Sequence, residues 1–486
     1  MFLLFGGVAV VFLIVRSPDA LTFDRFAFGD QGANFTLNYL IGRGLRPEVD
    51  FGYPYGLLSI SLGRPLFRFF GYTPAAYEIA TLITIGLISW AFATIASCEK
   101  FKWPAITLTA VAMPIAIPVM YSNLAHCAEA ALISLGLARH ARGNRASALA
   151  FAAAACFAKP AMGYVYGLLL LVLILRQFRL SGSSAFALVR EIVPAIVTGI
   201  ALTLVMTFSF GLESLLHTIL PLRGSEIYQA AGFGFLSGAG HDFWHPAHAR
   251  IGYYIGTPAG FWIVAAIWIL WCGAAVALRL VRSRANDISA ELVACIAVMQ
   301  AVFIFIMFGN AWSWWFSSYF LVIGAAISVG CGGEAAMAIT ATLVVLAIFV
   351  ARGFILAASR VYATTQVYAE TAGLRATEAE HLEWKAALDR ARGHRSVVLA
   401  GNGGAALMFP DFEPPVAVYL LPGNMFPAEV ARVTTQLAGA TVIVRKRAEP
   451  WGKDTLGEDP DLESAMQGTR VVVVGHYFIV FERSAR

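Results

Sequence analysis

Long apolar stretches broken by short polar ones fill the first three quarters of the chain. A helix crossing a bilayer needs roughly 20 largely apolar residues, because backbone groups left unpaired in lipid cost several kcal/mol each. Stretches of that character fall at 1–15, 76–97, 104–121, 122–138, 146–158, 161–175, 188–208, 257–278, 288–308, 316–330 and 335–356, which makes about eleven spans by hydropathy. The first lacks a basic leading region and a cleavage site, so it reads as a retained helix and not a signal peptide.

The pattern changes near residue 357. Residues 377–392 carry a helical period and read as an amphipathic linker. Short β-branched or apolar runs at 397–400, 416–420, 440–444, 471–474 and 478–481 follow, separated by Gly, Pro and Asn, with a helical pattern at 427–437. Alternation of that kind predicts a small α/β domain. The chain thus divides into a polytopic helical membrane module at 1–356, with a first outer loop at 16–75 and a second large one at 209–256, then a linker helix at 357–392 and an extracytoplasmic α/β domain at 393–486.

Composition narrows the class. The chain has 486 residues, is 58% hydrophobic and 13% charged, whereas soluble domains are about a quarter charged, so a water-covered surface is excluded. The net charge of +5 is scattered and leaves no basic footprint for nucleic acid. Cys98, Cys127, Cys156, Cys272, Cys295 and Cys331 form no CxxC pair, which argues against both a disulfide framework and a zinc site. Lys100 and Lys102, then Arg139, Arg142 and Arg145, then Arg176 and Arg179, then Arg279, Arg282 and Arg284 occupy alternate connections. Basic residues mark cytoplasmic loops, so the first loop and the tail are expected outside, in a bacterial cytoplasmic membrane.

The densest polar stretch is 23–55, FDRFAFGDQGANFTLNYLIGRGLRPEVDFGYPY. A helix starting at Asp30 would set Asp30, Asn34 and Asn38 on one face and Leu37, Leu40 and Ile41 on another, an interfacial helix with a polar stripe. Asp is also a common helix cap, but capping alone leaves Asp24, Asp50, Tyr53 and Tyr55 unexplained. Residues 57–70 are amphipathic too, with Ser61, Arg64 and Arg68 opposite Leu58, Leu62, Leu66 and Phe69 or Phe70. Such a segment lies on a membrane surface, its arginines either snorkelling or binding phosphate.

Asp30-Gln31-Gly32, a helix, Gly42-Arg43-Gly44, Val49-Asp50-Phe51 and Tyr53-Pro54-Tyr55-Gly56-Leu57 together resemble the first outer loop of the GT-C superfamily of integral-membrane glycosyltransferases. Ala158-Lys159-Pro160 with Gly163, Tyr319-Phe320-Leu321, and Ala406-Leu407-Met408-Phe409 in the tail extend the resemblance. Gln31 stands where the family usually has a second acid, so Asp30 has no neighbouring carboxylate to share a metal with.

The resemblance implies sugar transfer from a polyprenyl-phosphate carrier to a lipid, glycan or protein acceptor on the outer face. Asp30 would be the general base, Asp50 an orienting group and Asp24 the fallback. Lys159, with Arg43, Arg46 or Arg64, would meet the lipid phosphate. Tyr53, Tyr55, His217 and Arg223 are further candidates for binding substrate. No cofactor is required on this reading, and a divalent metal stays open.

Other clusters are weaker. His241, His245 and His248 have a spacing that could bind zinc on a helix, but Gly238, Gly240 and Pro246 oppose one, leaving a mobile acceptor loop as the plainer reading. Trp312, Trp314 and Trp315 read as an interfacial belt. Gly401-Asn402-Gly403-Gly404 reads as a turn, and His126 and Glu129 as polar residues facing the protein interior. The rival classes are a lipid-linked-sugar transporter or flippase, which internal repeats would support, and another envelope polysaccharide assembly protein.

Overall fold

The computed structural model describes residues 3–7, 21–53, 55–98, 106, 123–182, 184–220, 288–306, 359–418, 420, 426–447 and 460–483. Most of this is helix. Residues 3–7 are helical and bury Phe5 edge-on against Phe92. The first loop holds α1 (Phe23–Phe28), α2 (Asp30–Gly42) and α3 (Ile60–Phe70). The bundle follows as α4 (Pro74–Cys98), α5 (Leu124–Ala141), α6 (Arg145–Ala158), α7 (Pro160–Ser181), α8 (Ala185–Phe210), a short α9 (Leu212–Ile219) and α10 (Ile288–Ile306).

Among the described residues α4, α7 and α8 are long and apolar enough to cross a membrane. The spans expected at 104–121, 257–278, 316–330 and 335–356 lie outside or almost wholly outside the described residues. Local sequence sets the helix ends. Asn123 and Asn144 cap α5 and α6 by accepting from Ala125 and Ser147 N–H, Pro160 occupies the first turn of α7, and Gly182 ends it at φ +60°. The tight turn before α6 and the hairpin at Lys159 make chain direction alternate. The bundle therefore has two ends. At one, Arg139 and Arg142 lie over the Trp90 ring at 5.9 and 5.8 Å, and Glu291 receives Arg145 Nη2 at 2.7 Å and His140 Nε2 at 3.1 Å. At the other lie Lys159, α9 and the first loop.

The tail carries a β1 (Gln366–Val367) and β2 (Arg375–Ala376) pair, then α11 (Glu378–Ala391), β3 (Ser396–Leu399), α12 (Ala405–Met408), α13 (Pro427–Gly439), β4 (Val442–Lys446), α14 (Pro460–Ala465), β5 (Thr469–Val474) and β6 (Phe478–Arg483). The four-stranded sheet has the order β3-β4-β6-β5, with β3 parallel to β4 and the other neighbours antiparallel. The strand expected at 416–420 does not form among the described residues of that run. Pro414 and Pro415 precede it, and the Pro414 and Val416 carbonyls are taken by Gln436 and Arg432 side chains of α13 instead of a ladder.

Trp384 of α11 joins the tail to the first loop. Its ring lies 4.9 Å from Phe23, 5.1 Å from Phe409 and 5.2 Å from Phe478, and such aromatic pairs each add about 0.5–1.5 kcal/mol beyond area burial. Helix α11, the sheet and α1 therefore share one core.

Candidate active site

Helix α2 is not the surface helix that its polar stripe predicts. Phe35 packs on Phe26, Phe67 and Tyr77, while Ala33, Leu37, Leu40 and Ile41 join a second cluster with Tyr53, Tyr55, Phe157, Met206 and Phe210. The stripe turns back on its own helix: Asn34 Nδ2 donates to the Asp30 carbonyl at 2.7 Å and Asn38 Nδ2 to the Asn34 carbonyl at 2.8 Å. Each amide thus has a partner for its nitrogen, while Asn38 Oδ1 finds none among the described residues. The helix ends where Gly44 adopts φ +84°, which accounts for the glycine after Arg43. Helix α3 buries Ile60, Gly63 and Phe67. Its Arg64 and Arg68 are exposed as expected, but so is Phe69, at 87%, because the inward face is rotated from the one the sequence pattern marks.

Asp30 sits in the first turn of α2, half-enclosed, with its carboxyl pushed up to about 7 by burial alone. It makes no ion pair with any described residue. The other acids of the loop are engaged. Asp24 Oδ1 lies 2.5 Å from Lys446 Nζ. Asp50 Oδ2 accepts from Arg46 N–H at 2.7 Å, and the Asp50 carbonyl accepts from Arg432 at 2.6 Å.

Glu48, which sequence reasoning passed over, is 1% exposed at φ +59° and accepts from the Tyr53 N–H. Next to that contact, Glu429 of α13 accepts from Gly52 N–H at 3.1 Å and Phe426 N–H at 2.9 Å, and burial raises its carboxyl to about 7. Pro427 with Glu429 is a readable helix start, but nothing in the sequence links it to Gly52.

Tyr53 and Tyr55 are buried. Tyr53 Oη lies 2.7 Å from Ser59 Oγ, and Tyr55 stacks edge-on against His126 at 5.3 Å. The adjacent Gly56 N–H donates to the Ala158 carbonyl at 3.0 Å, pressing the loop onto the Lys159 hairpin. Lys159 Nζ lies 3.1 Å from His126 Nδ1 and 3.7 Å from Glu129 Oε2, so His126 and Glu129 face the interior as expected and already engage the ammonium. Arg46 has Asp50 and Glu213 nearby. Arg43 and Arg64 are exposed and pair with no described carboxylate. His217 of α9 lies 3.1 Å from the Glu48 carbonyl.

Arg223, His241, His245, His248, Trp312, Trp314, Trp315 and Tyr319 lie outside the described residues. Among the described residues, no three of His, Cys, Asp and Glu gather as a metal set. Gly401 to Gly404 form the expected turn and also touch the loop: Asn402 Nδ2 donates to the Gly29 carbonyl at 2.6 Å.

The fold and this loop define a class, a mostly helical protein with membrane-length apolar helices whose polar first loop is roofed by a mixed α/β domain. Neither a protein-family model nor a curated protein sequence matches the chain. The structure does match the crystal structure of ArnT from Cupriavidus metallidurans bound to undecaprenyl phosphate, with a TM-score of 0.55 and 14% identity, over 99% of this chain and 98% of that one. At this identity the match establishes the fold, and it is the fold that the first-loop motifs implied.

Proposed function

We propose that the chain is an inverting glycosyltransferase that moves a sugar from a polyprenyl-phosphate carrier to an acceptor hydroxyl on the outer face of a bacterial cytoplasmic membrane. The observation that carries this reading is Asp30: a half-enclosed carboxyl near 7, free of any described cation, at the bundle end where the first loop meets the Lys159 hairpin. A base with that acidity is half ionised near neutral pH and still strong enough to accept a proton. The full-length likeness in fold to a protein bound to undecaprenyl phosphate supports the donor class.

In the proposed reaction Asp30 takes the acceptor hydroxyl proton as its oxygen attacks the anomeric carbon from the face opposite the phosphate. The carbon–phosphate-oxygen bond breaks, and its electron pair leaves with the lipid phosphate. Cations aimed at that phosphate lower the barrier. Arg43 and Arg64 suit this role because no described carboxylate neutralises them, whereas Glu129 offsets part of the Lys159 charge. The arginine-bearing end of the bundle faces the cytoplasm, which puts the loop and tail outside.

The test is Asp30→Asn in purified, monodisperse protein. Transfer from undecaprenyl-phosphate sugars should drop by roughly 10²–10⁴-fold, with undecaprenyl phosphate binding unchanged. In the wild type, kcat/KM should climb with pH through about 7. Full turnover in Asp30→Asn would remove Asp30 as the base.

A further inference from the structure

Three contacts from the tail bracket Asp30 along the chain. Before it, Asp24 meets Lys446 of β4. Beside it, the Gly29 carbonyl accepts from Asn402. Just after it, the Gly32 backbone abuts Gly404 so closely that a Cβ on Gly404 would fall 2.5 Å from the Gly32 carbonyl carbon. The turn they hold is already tight, since a Cβ on Gly29 would sit 3.3 Å from Gln31 Oε1 and closer still to the Arg25 carbonyl oxygen. The angle between α1 and α2 is thus fixed from inside the loop and from the tail at once.

The tail residues involved are costly as packing. Lys446 is 1% exposed within a strand; besides Asp24 it has the rings of Phe28, Tyr477 and Phe478 at 5.3, 5.2 and 4.8 Å from its ammonium and the Glu380 carboxyl in electrostatic reach. A buried ion pair adds little net stability over an apolar pair of similar volume, and its best-attested use is to fix register. Asn402 is 2% exposed, and its Oδ1 finds no hydrogen-bond partner among the described residues, so its amide is kept at a penalty for the one bond it donates to Gly29.

We propose that Asn402 and Lys446 are positioning residues for Asp30: the C-terminal domain sets the start of α2, and with it the direction and enclosure of the carboxylate, while contributing no reacting group. This rests on the reading of Asp30 as the base. The enclosure it explains is the one that holds Asp30 near 7 with no charged neighbour contributing.

The experiment reads Asp30 directly in the full-length protein in detergent. Dicyclohexylcarbodiimide, an apolar reagent, attacks protonated carboxyls, and its adduct on the Asp30 peptide is quantified by mass spectrometry across pH. In the wild type the labelling midpoint should lie near 7. Asn402→Leu, and separately the double variant Asp24→Asn with Lys446→Met, which removes both members of the ion pair together, should each lower the midpoint by about one pH unit or more as water reaches the carboxyl. Each should also lower kcat by about tenfold or more at unchanged donor KM, a split that general loss of fold would not give.

A midpoint that stays near 7 in whichever variant elutes as a monodisperse protein overturns the proposal. So does a wild-type midpoint near 4, with no variant needed. Labelling does not depend on sugar transfer, so normal turnover in Asp30→Asn would sink the proposed function while leaving the positioning result to stand or fall alone.

Discussion

Replacing Gly56 with alanine tests whether the first loop is seated on the Lys159 hairpin. Gly56 has φ −75° and ψ 149°, a conformation open to any residue, so alanine introduces no backbone strain. The obstacle is steric: an added Cβ would lie 2.5 Å from the Phe157 carbonyl carbon and 2.8 Å from that of Ala158, and these are backbone atoms that cannot rotate away as a side chain could. Loop and hairpin must part by about 1 Å to regain ordinary contact. Overpacking of this kind and loss of the Gly56 to Ala158 hydrogen bond together cost about 2–4 kcal/mol. A shift of about 1 Å between groups that act on one substrate can lower turnover by about 100-fold.

Gly42→Ala is the control, because a Cβ there meets nothing within 4 Å and a helical alanine gains about 0.5–1 kcal/mol. Thermal unfolding in detergent followed by intrinsic fluorescence, at one fixed scan rate because membrane proteins unfold irreversibly, should separate the two variants by several degrees. Equal midpoints and equal turnover would refute the close seating and, with it, the juxtaposition of the loop with Lys159.

The remaining predictions concern pH, the opposite end of the bundle, and sidedness. Asp30, Glu380 and Glu429 all have carboxyls raised to about 7 in the folded protein; the stability linked to their protons is complete below their unfolded values near 4 and is lost as pH rises through 7. The unfolding temperature should therefore be higher at pH 5 than at pH 8, and Glu429→Gln should flatten the dependence; the opposite slope would refute the assignment. At the arginine-bearing end, Glu291→Gln leaves the buried Arg145 guanidinium without its counter-charge and should cost about 3–5 kcal/mol, read as a lower unfolding midpoint or loss of monodisperse protein. A midpoint equal to wild type would make that ion pair incidental. Cysteines introduced at 139–145 and at 390–399 should be labelled from opposite sides of the membrane by an impermeant maleimide, and same-side labelling would reverse the reading of the loops.

Apolar patterning made the fold legible wherever an element packs into the core. The strands at β3, β4, β5 and β6 and the helix α13 fall within a few residues of where their patterns put them, because short apolar, β-branched runs bounded by turn residues suit a buried strand and a packed helix must repeat every three to four residues. Two elements defeated that logic. The run at 416–420 is apolar enough for a strand, but the Val416 carbonyl, and that of Pro414 just before the run, are claimed by long side chains of a helix that has not yet begun in the sequence. Helix α2 has polar residues at helical spacing that ordinarily mark a wet face, yet their amides turn back onto the preceding carbonyls and the helix is buried all round.

The acids of the first loop show why the site was only half legible. Asp24, Asp30, Glu48 and Asp50 are alike in type and close in sequence, and nothing local ranks them. Their partners do. Asp24 is claimed by Lys446, Glu48 is turned inward to the Tyr53 N–H, and Asp50 is spent on the Arg46 N–H. Two of those three bonds are local in sequence, but the first reaches into the last sheet of the chain, where the Arg445-Lys446 pair ending a strand gives no sign that the lysine is the buried one. Asp30 is what remains after the partners are assigned. Its acidity follows from the same packing: a carboxylate with a cation beside it would be held low, whereas one enclosed by α1, α2 and the Asn402 turn is held near the pH at which a base is useful. The buried Gln31 next to it supports this, because a second carboxylate in that position would add a charge that the enclosure has no described cation to balance.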